Sequence, residues 1–428
     1  MARGARAAAF SPASLPVPKF GNGDEAHGES RRAFLLMGSD VGERTAIRIG
    51  LLFSTTGPYA TIGSAMRNGS MLAISEVNAD ASFPFTLDPL EANPDGRNAI
   101  YAELACRMLT AERLVHVVGC YTSSSRKEVL PYFEKYDGLL WYPSHYEGFE
   151  SSEHVIYTGA APNQHIVPLA DYLLQHCGTR AYCVGSNYIW AWENNKILRE
   201  AVYGAGGVVL AERYFSVGEL DFDAIIEQII DSRPSFVFNT LIGVSAYAFF
   251  RAFRRAAEAR GIDQPRAFPI ASCSLAEPEL VEIGPAACAG HVSSSVYFES
   301  IETATNKAFV ASYGRHFPSA GPTSADAEAS YLAVHLLARA MRRAGSADPF
   351  AVRGALPHIV INAPQGEVHV DRENRHCYLT PRIGVSNAAG RFDIIYEAAR
   401  PVRPDPYLVW QEFKNPVGIR PPSLRVVK

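Results

Sequence analysis

The chain has 428 residues, a formal net charge of −4, 47% hydrophobic and 20% charged residues, the make-up of an ordinary globular protein long enough for two domains. Acids and bases are interspersed with no lysine- or arginine-rich run, which excludes nucleic-acid binding through a basic patch. No apolar stretch approaches the roughly 18–20 residues of a membrane span.

Residues 1–45 are rich in Ala, Gly, Pro and Ser and are predicted to be a disordered N-terminal segment. Within them Ser30-Arg31-Arg32-Ala33-Phe34-Leu35-Leu36 resembles a twin-arginine export signal. Its apolar core, Ala33–Met37, falls short of the minimum of about 7 residues before Asp40 and Glu43 interrupt it, so the segment is expected not to direct export.

From Ala46 to Phe298 strand and helix patterns alternate. Strands are predicted at Ile47–Phe53, Phe85–Leu90, Val115–Cys120, Leu139–Tyr142, Ala181–Gly185, Val208–Phe215, Phe236–Leu241 and Pro269–Cys273. Helices are predicted at Ala65–Val77, Asn98–Leu114 with Asn98 as cap, Arg126–Tyr136, Asn163–Cys177, Trp192–Tyr203, Phe222–Ser232 and Ala246–Arg260. Two more follow, Thr303–His316 and Ala325–Ala344, the second capped by Thr323 or Ser324 and stopped by Gly345. Glu367–Asp371, Arg382–Ser386 and Phe392–Tyr396 read as antiparallel hairpins. The pattern is α/β with parallel sheets, and so many strands divide best between two Rossmann-like lobes.

In open parallel sheets ligands bind beyond the carboxyl ends of the strands. Two such ends carry short polar-aromatic loops, Tyr121-Thr122-Ser123 and Pro143-Ser144-His145-Tyr146. Tyr121, Tyr142, Tyr146 and Tyr188 stand at or just past strand ends, followed by Trp190. Rings give a rigid apolar wall and phenols give orientation. Ser123 sits beside a helix N-terminus, where a hydroxyl and free N–H groups suit a carbonyl oxygen. Ser125-x-x-Glu128 is a capping box, which assigns Ser125 to the helix end. Ser124-x-x-Lys127 has neither a Ser-Asp-Asn nor a Lys-Thr-Gly partner, so no acyl-enzyme is expected. There is no His-Glu-x-x-His, no Cys/His ligand spacing, no Gly-x-Gly-x-x-Gly and no Walker A sequence; no metal, cofactor or catalytic residue is expected. Seven cysteines without ligand spacing read as reduced thiols and point to a cytoplasmic location.

The chain resembles the type I periplasmic-binding-protein fold of the amide and urea receptor group, and within it the amide-sensing negative regulators of aliphatic amidase operons. The matching blocks are Ile49-Gly-Leu-Leu-Phe-Ser54 with Thr56-Gly57, Gly119-Cys-Tyr121 with Ser123 and Arg126-Lys127, Tyr142-Pro143 with Tyr146-Glu-Gly-Phe-Glu150, Ala161-Pro-Asn-Gln164, Gly185-Ser186 with Tyr188-Ile189, Tyr297-Phe298 with Ser300-Ile301, Ala363-Pro-Gln-Gly366 and Arg403-Pro-Asp-Pro-Tyr407. The resemblance implies a Venus-flytrap with three crossovers: lobe 1 from 46–160 and 290–366, lobe 2 from 161–289 and 367–428. It implies ligand contacts at Tyr121, Ser123, Tyr142, Ser144, His145, Tyr188, Trp190 and Ser274. The pair Ser144-His145 departs from both the amide sensors and the urea receptors, as does Trp190.

The expectation is a non-enzymatic, cytoplasmic sensor that binds a small neutral amide or urea-like ligand and controls an antiterminator partner. The alternative is an exported solute-binding component that delivers urea or short-chain amides to an ABC permease. Oligomeric state is left open.

Overall fold

The computed structural model describes residues 44–409. The apolar run Thr45–Leu52 forms β1, which leads through α1 (Ala60–Ala79) to β2 (Phe85–Ala92). The chain continues through α2 (Asn98–Thr110), β3 (His116–Gly119), α3 (Ser123–Lys135), β4 (Leu139–Tyr142) and β5 (Val155–Tyr157). These five strands make one parallel sheet in the order β2-β1-β3-β4-β5. Every residue of β3 and β4 is buried, as expected for parallel strands covered on both faces.

After β5 the chain passes to a second lobe: α4 (Ile166–His176), β6 (Arg180–Ser186), α5 (Ile189–Gly204), β7 (Val208–Phe215), α6 (Asp223–Ser232), β8 (Phe236–Thr240), α7 (Val244–Glu258), α8 (Gln264–Ala267), β9 (Ile270–Ser272), α9 (Glu277–Ile283) and β10 (Val292–Ser295). It then returns for α10 (Ala304–His316), α11 (Ala325–Ala344) and α12 (Pro349–Ala355), with α11 packed along α1. β11 (Val360–Ala363), β12 (Gly366–Val370) and β13 (Cys377–Tyr378) form a small antiparallel sheet. A third passage carries β14 (Arg382–Ser386) and β15 (Phe392–Glu397) back to the second sheet, whose order is β15-β14-β10-β9-β8-β6-β7. The expected α/β class, with two lobes, three passages and hairpins near the C-terminus, is the architecture observed; the first sheet is all parallel, and the second is mixed, because β14 and β15 join it antiparallel.

Local differences have local causes. Thr122, not Ser125, caps α3: its Oγ1 accepts from Ser125 N at 3.1 Å, and Ser125 Oγ donates back to Thr122 O at 2.8 Å. The helix therefore begins one turn before the capping-box reading placed it. Asn98 opens α2 rather than capping it; Arg97 is the cap and offers no side-chain bond. β10 was missed because Val-Ser-Ser-Ser looks like a turn. Burial is tolerated there because Ser293 donates to Leu275 O and Ser294 to His165 O, each at 2.8 Å. Residues 1–43 of the expected disordered segment, with the export-like stretch, lie outside the described residues, and Thr45 at its end is ordered as the first residue of β1.

Three buried glutamates form no ion pair among the described residues. Glu277, Glu279 and Glu328 are each pushed up to about 8, mainly by burial. Glu277 Oε2 and Glu328 Oε1 have no hydrogen-bond partner, which suits the protonated acid. Four buried histidines shift the other way: burial lowers His116 to about 4 and His165, His291 and His376 to about 3. The raised carboxyls stabilise the fold when protonated, an effect lost as pH climbs toward 8; the neutral histidines stabilise it above about 6.5, an effect lost as pH falls. Thermal melts are therefore expected to show greatest stability near pH 6.5. The loss should be steep from there to pH 8, on the order of 2 kcal/mol per glutamate, and shallow toward pH 4.5, where the two sets oppose. Glu328→Gln should flatten the alkaline limb; a flat wild-type profile from pH 6.5 to 8 would show that these carboxyls are already ionised.

Candidate functional site

Cys120, directly after β3, lies in the left-handed region, φ 66, anchored by its N–H donating to Leu52 O at 3.0 Å. That turn delivers Tyr121 to the loop, where its ring meets Tyr59 from the β1 loop at 5.3 Å. Tyr142, at the end of β4, donates its hydroxyl to Tyr121 O at 2.8 Å and ties the two loops together.

Beneath the loops lies a fully buried guanidinium. Arg126 donates through Nε to Glu150 at 2.7 Å, through Nη2 to Glu147 at 3.1 Å and through Nη1 to Ser123 Oγ at 3.3 Å. It lies 4.7 and 4.6 Å from the ring centroids of Tyr142 and Tyr146. Ser123 Oγ donates in turn to Glu147 Oε2. Burial alone would lower the Arg126 pKa, but Glu147, Tyr142 and Glu150 hold it well above its ordinary value. Burial likewise acts to raise Glu150, yet Arg126 and Lys127 hold it down to about 2.

Above this layer the two lobes meet. Gly243, in the loop after β8, has φ 56, and a Cβ there would stand 2.0 Å from Pro58 O. This close approach lets Val244 N donate to Pro58 O across the lobes at 3.1 Å. A cavity of about 20 Å3 lies between the lobes, room for about one water molecule. His145, His165, Ser274, Ser294, Ser295 and Asp326 supply its polar walls. Ser144 donates to Asp326 Oδ1 at 3.0 Å, with His145 Nδ1 3.8 Å from the same oxygen. Gly159 permits this: a Cβ there would stand 2.1 Å from the Ser144 carbonyl. The His145 ring sits edge-on to Trp190 at 5.3 Å and to His165 at 5.7 Å, and Tyr188 stacks on Trp190 at 6.1 Å.

Of the expected contacts, His145 and Ser274 line this cavity; Ser144 is bonded to Asp326, Trp190 packs on the His145 ring with Tyr188 stacked on it, and Tyr121 lies on the Tyr59 side. It places Ser123 and Tyr142 one layer down, in the Arg126 network. Sequence reasoning did not single out Asp326, His165 or Glu147. Asp326 stands in the first turn of α11, where an acid is explained by the helix dipole. No local spacing joins Glu147 to Arg126. His165 is neutral, lowered by burial and then by His145. No lysine or arginine lines the cavity among the described residues.

The sequence profile of one family, described as periplasmic binding protein domain, matches residues 47–412. Among solved structures, a solute binding protein of an ABC transporter from Rhodopseudomonas palustris HaA2, in complex with p-hydroxybenzoic acid, superposes with a TM-score of 0.76. It shares 21% identity over 86% of this chain and 100% of that one. A branched-chain amino acid transporter substrate binding protein from Streptococcus pneumoniae, in complex with isoleucine, gives 0.70 with 19% identity over 83% and 100% of the two chains. A leucine binding protein from Thermotoga maritima gives 0.71 with 18% identity over 82% and 98%. Among curated proteins, limonene hydroxylase of Geobacillus stearothermophilus is 25% identical over 126 residues, 29% of this chain, and the chain spans only 23% of that protein's length.

Arg126→Met should cost about 3–5 kcal/mol in chemical denaturation, because it strands two buried carboxylates. Adding Glu147→Gln should recover part of the loss. A single-variant cost below about 1 kcal/mol would show that Arg126 does not hold the loops.

Proposed function

Because the chain belongs to the periplasmic binding protein domain family, whose members are solute-binding proteins rather than enzymes, we propose that it is the exported solute receptor of an ABC importer for a small neutral amide or urea-like molecule. The observation that carries the ligand class is the charge of the cleft: a carboxylate, Asp326, with no lysine or arginine among its walls. A carboxylate solute would meet Asp326 without a fixed counter-ion, whereas the N–H groups of an amide find an acceptor there. The small cavity favours small solutes, with the lobes parting to admit them. Tyr121, Ser144, His145, Tyr188, Trp190 and Ser274 are the proposed contacts; Ser123 and Tyr142 act through the loops they brace.

The importer reading takes precedence over the cytoplasmic amidase-operon sensor because the structural relatives are transporter receptors. The amide class itself rests on the cleft, since those relatives hold a hydroxybenzoate or an amino acid.

Thermal shift and calorimetry with acetamide, propionamide, butyramide and urea should reveal at least one binder, stabilising the fold by about 2.7 kcal/mol at 100 times its dissociation constant. Asp326→Asn should weaken that binder about tenfold. If p-hydroxybenzoate or isoleucine shifts the melting curve and no amide does, the amide assignment fails and the receptor assignment stands. Location is tested separately. Cell fractionation of the full chain should recover it in the periplasm, and Arg31-Arg32→Lys-Lys should abolish this; cytoplasmic recovery of both would return the sensor reading.

A further inference from the structure

The outer face of α11 carries charge that the cleft does not use. His335, Arg339, Arg342 and Arg343 follow one another at i, i+4, i+7 and i+8 and share one face. With Val77, Phe83 and neighbours from α1 and β11 they line a pocket of about 620 Å3, well within the size range of small-molecule sites. Along the helix, Arg339 stands roughly 20 Å from Asp326, so the pocket is separate from the cleft.

The acids of this pocket are already engaged. Glu76 Oε2 accepts from the Tyr331 hydroxyl at 2.5 Å and lies 3.1 Å from His335 Nε2, and Asp80 Oδ1 accepts from Ser82 N at 2.8 Å. Arg342 donates to Ser82 Oγ at 2.8 Å and lays its guanidinium 4.7 Å over the Phe83 ring. Arg339 is half-buried, yet it donates no hydrogen bond to any side chain or carbonyl among the described residues. Burial and then Arg342 lower its pKa, more than nearby Tyr331 and Asp80 raise it. Arg342 and Arg343, in the last turn, are explained as complements to the helix dipole. That account does not reach Arg339, which lies further in and lines the pocket.

We propose that this pocket binds a soluble, polyvalent oxyanion of the phosphate class, gripped by the guanidinium forks of Arg339 and Arg342 against the Phe83 wall. Planar forks match phosphate oxygens bidentately, and such a ligand supplies the acceptor that Arg339 lacks.

The test is calorimetry and thermal shift on the full chain with sodium pyrophosphate, against sodium chloride of equal ionic strength. Pyrophosphate should bind saturably. Arg339→Met should weaken it about tenfold or more, while melting at or above the wild-type temperature without anion, since a desolvated charge has been removed. Arg339→Lys, which keeps the charge and loses the fork, should fall between. Arg213→Met, an exposed arginine on β7, should change nothing. If Arg339→Met fails to fold, the exposed Arg343→Met takes its place, with a several-fold weakening expected. Absence of saturable binding beyond the chloride control, or equal affinity in the Arg339 and Arg343 variants, overturns the proposal. So does co-sedimentation with phosphatidylglycerol vesicles without pyrophosphate binding, which would assign the face to a lipid surface.

Discussion

The buried Arg126 guanidinium is the point on which the site depends. It joins α3, the β4 loop and the segment carrying Glu147 and Glu150. A charge removed from water is tolerated only when its donors are matched, and here two carboxylates and a serine hydroxyl match them. The stacked and edge-on rings of Tyr142, Tyr146, Tyr157 and His376 seal the cluster from solvent. Because the bonds are directional, the cluster fixes where the β3 and β4 loops end. Tyr121, Ser144 and His145 inherit their positions from it.

On that base the lobes close over a cleft whose chemistry is set by what lines it. Hydroxyls, imidazoles and one carboxylate face a space near the size of a single water. A charge buried unpaired against such a wall would cost more than an imperfect apolar fit. The Pro58–Val244 bond and the bare Gly243 backbone show how close the lobes come. α11 serves two surfaces: its first turn carries Asp326 into the cleft, and its later turns carry the arginine face outward.

Alternation of strand and helix, with caps such as Ser324 and stops such as Gly345, was legible in the sequence because these signals are local. So were the α/β class, the loops at the strand ends and the tyrosines gathered there. The family's matching blocks led to the same architecture. Short buried strands were not legible: β5 has three residues, and β10 offers serines whose partners, Leu275 O and His165 O, are distant in sequence.

Tertiary structure alone decided the division of labour among the candidate residues. Ser123 and Ser144 look alike in sequence, each a serine just past a strand. One is bound beneath the floor by Glu147 and Arg126, and the other donates to Asp326 at the wall of the cleft. The partners that separate them lie 24 and 182 residues away. Periodicity and capping act over a few residues and fix which segments form. Charge pairing and desolvation act through space, and only the folded arrangement of both lobes determines which groups they bring together.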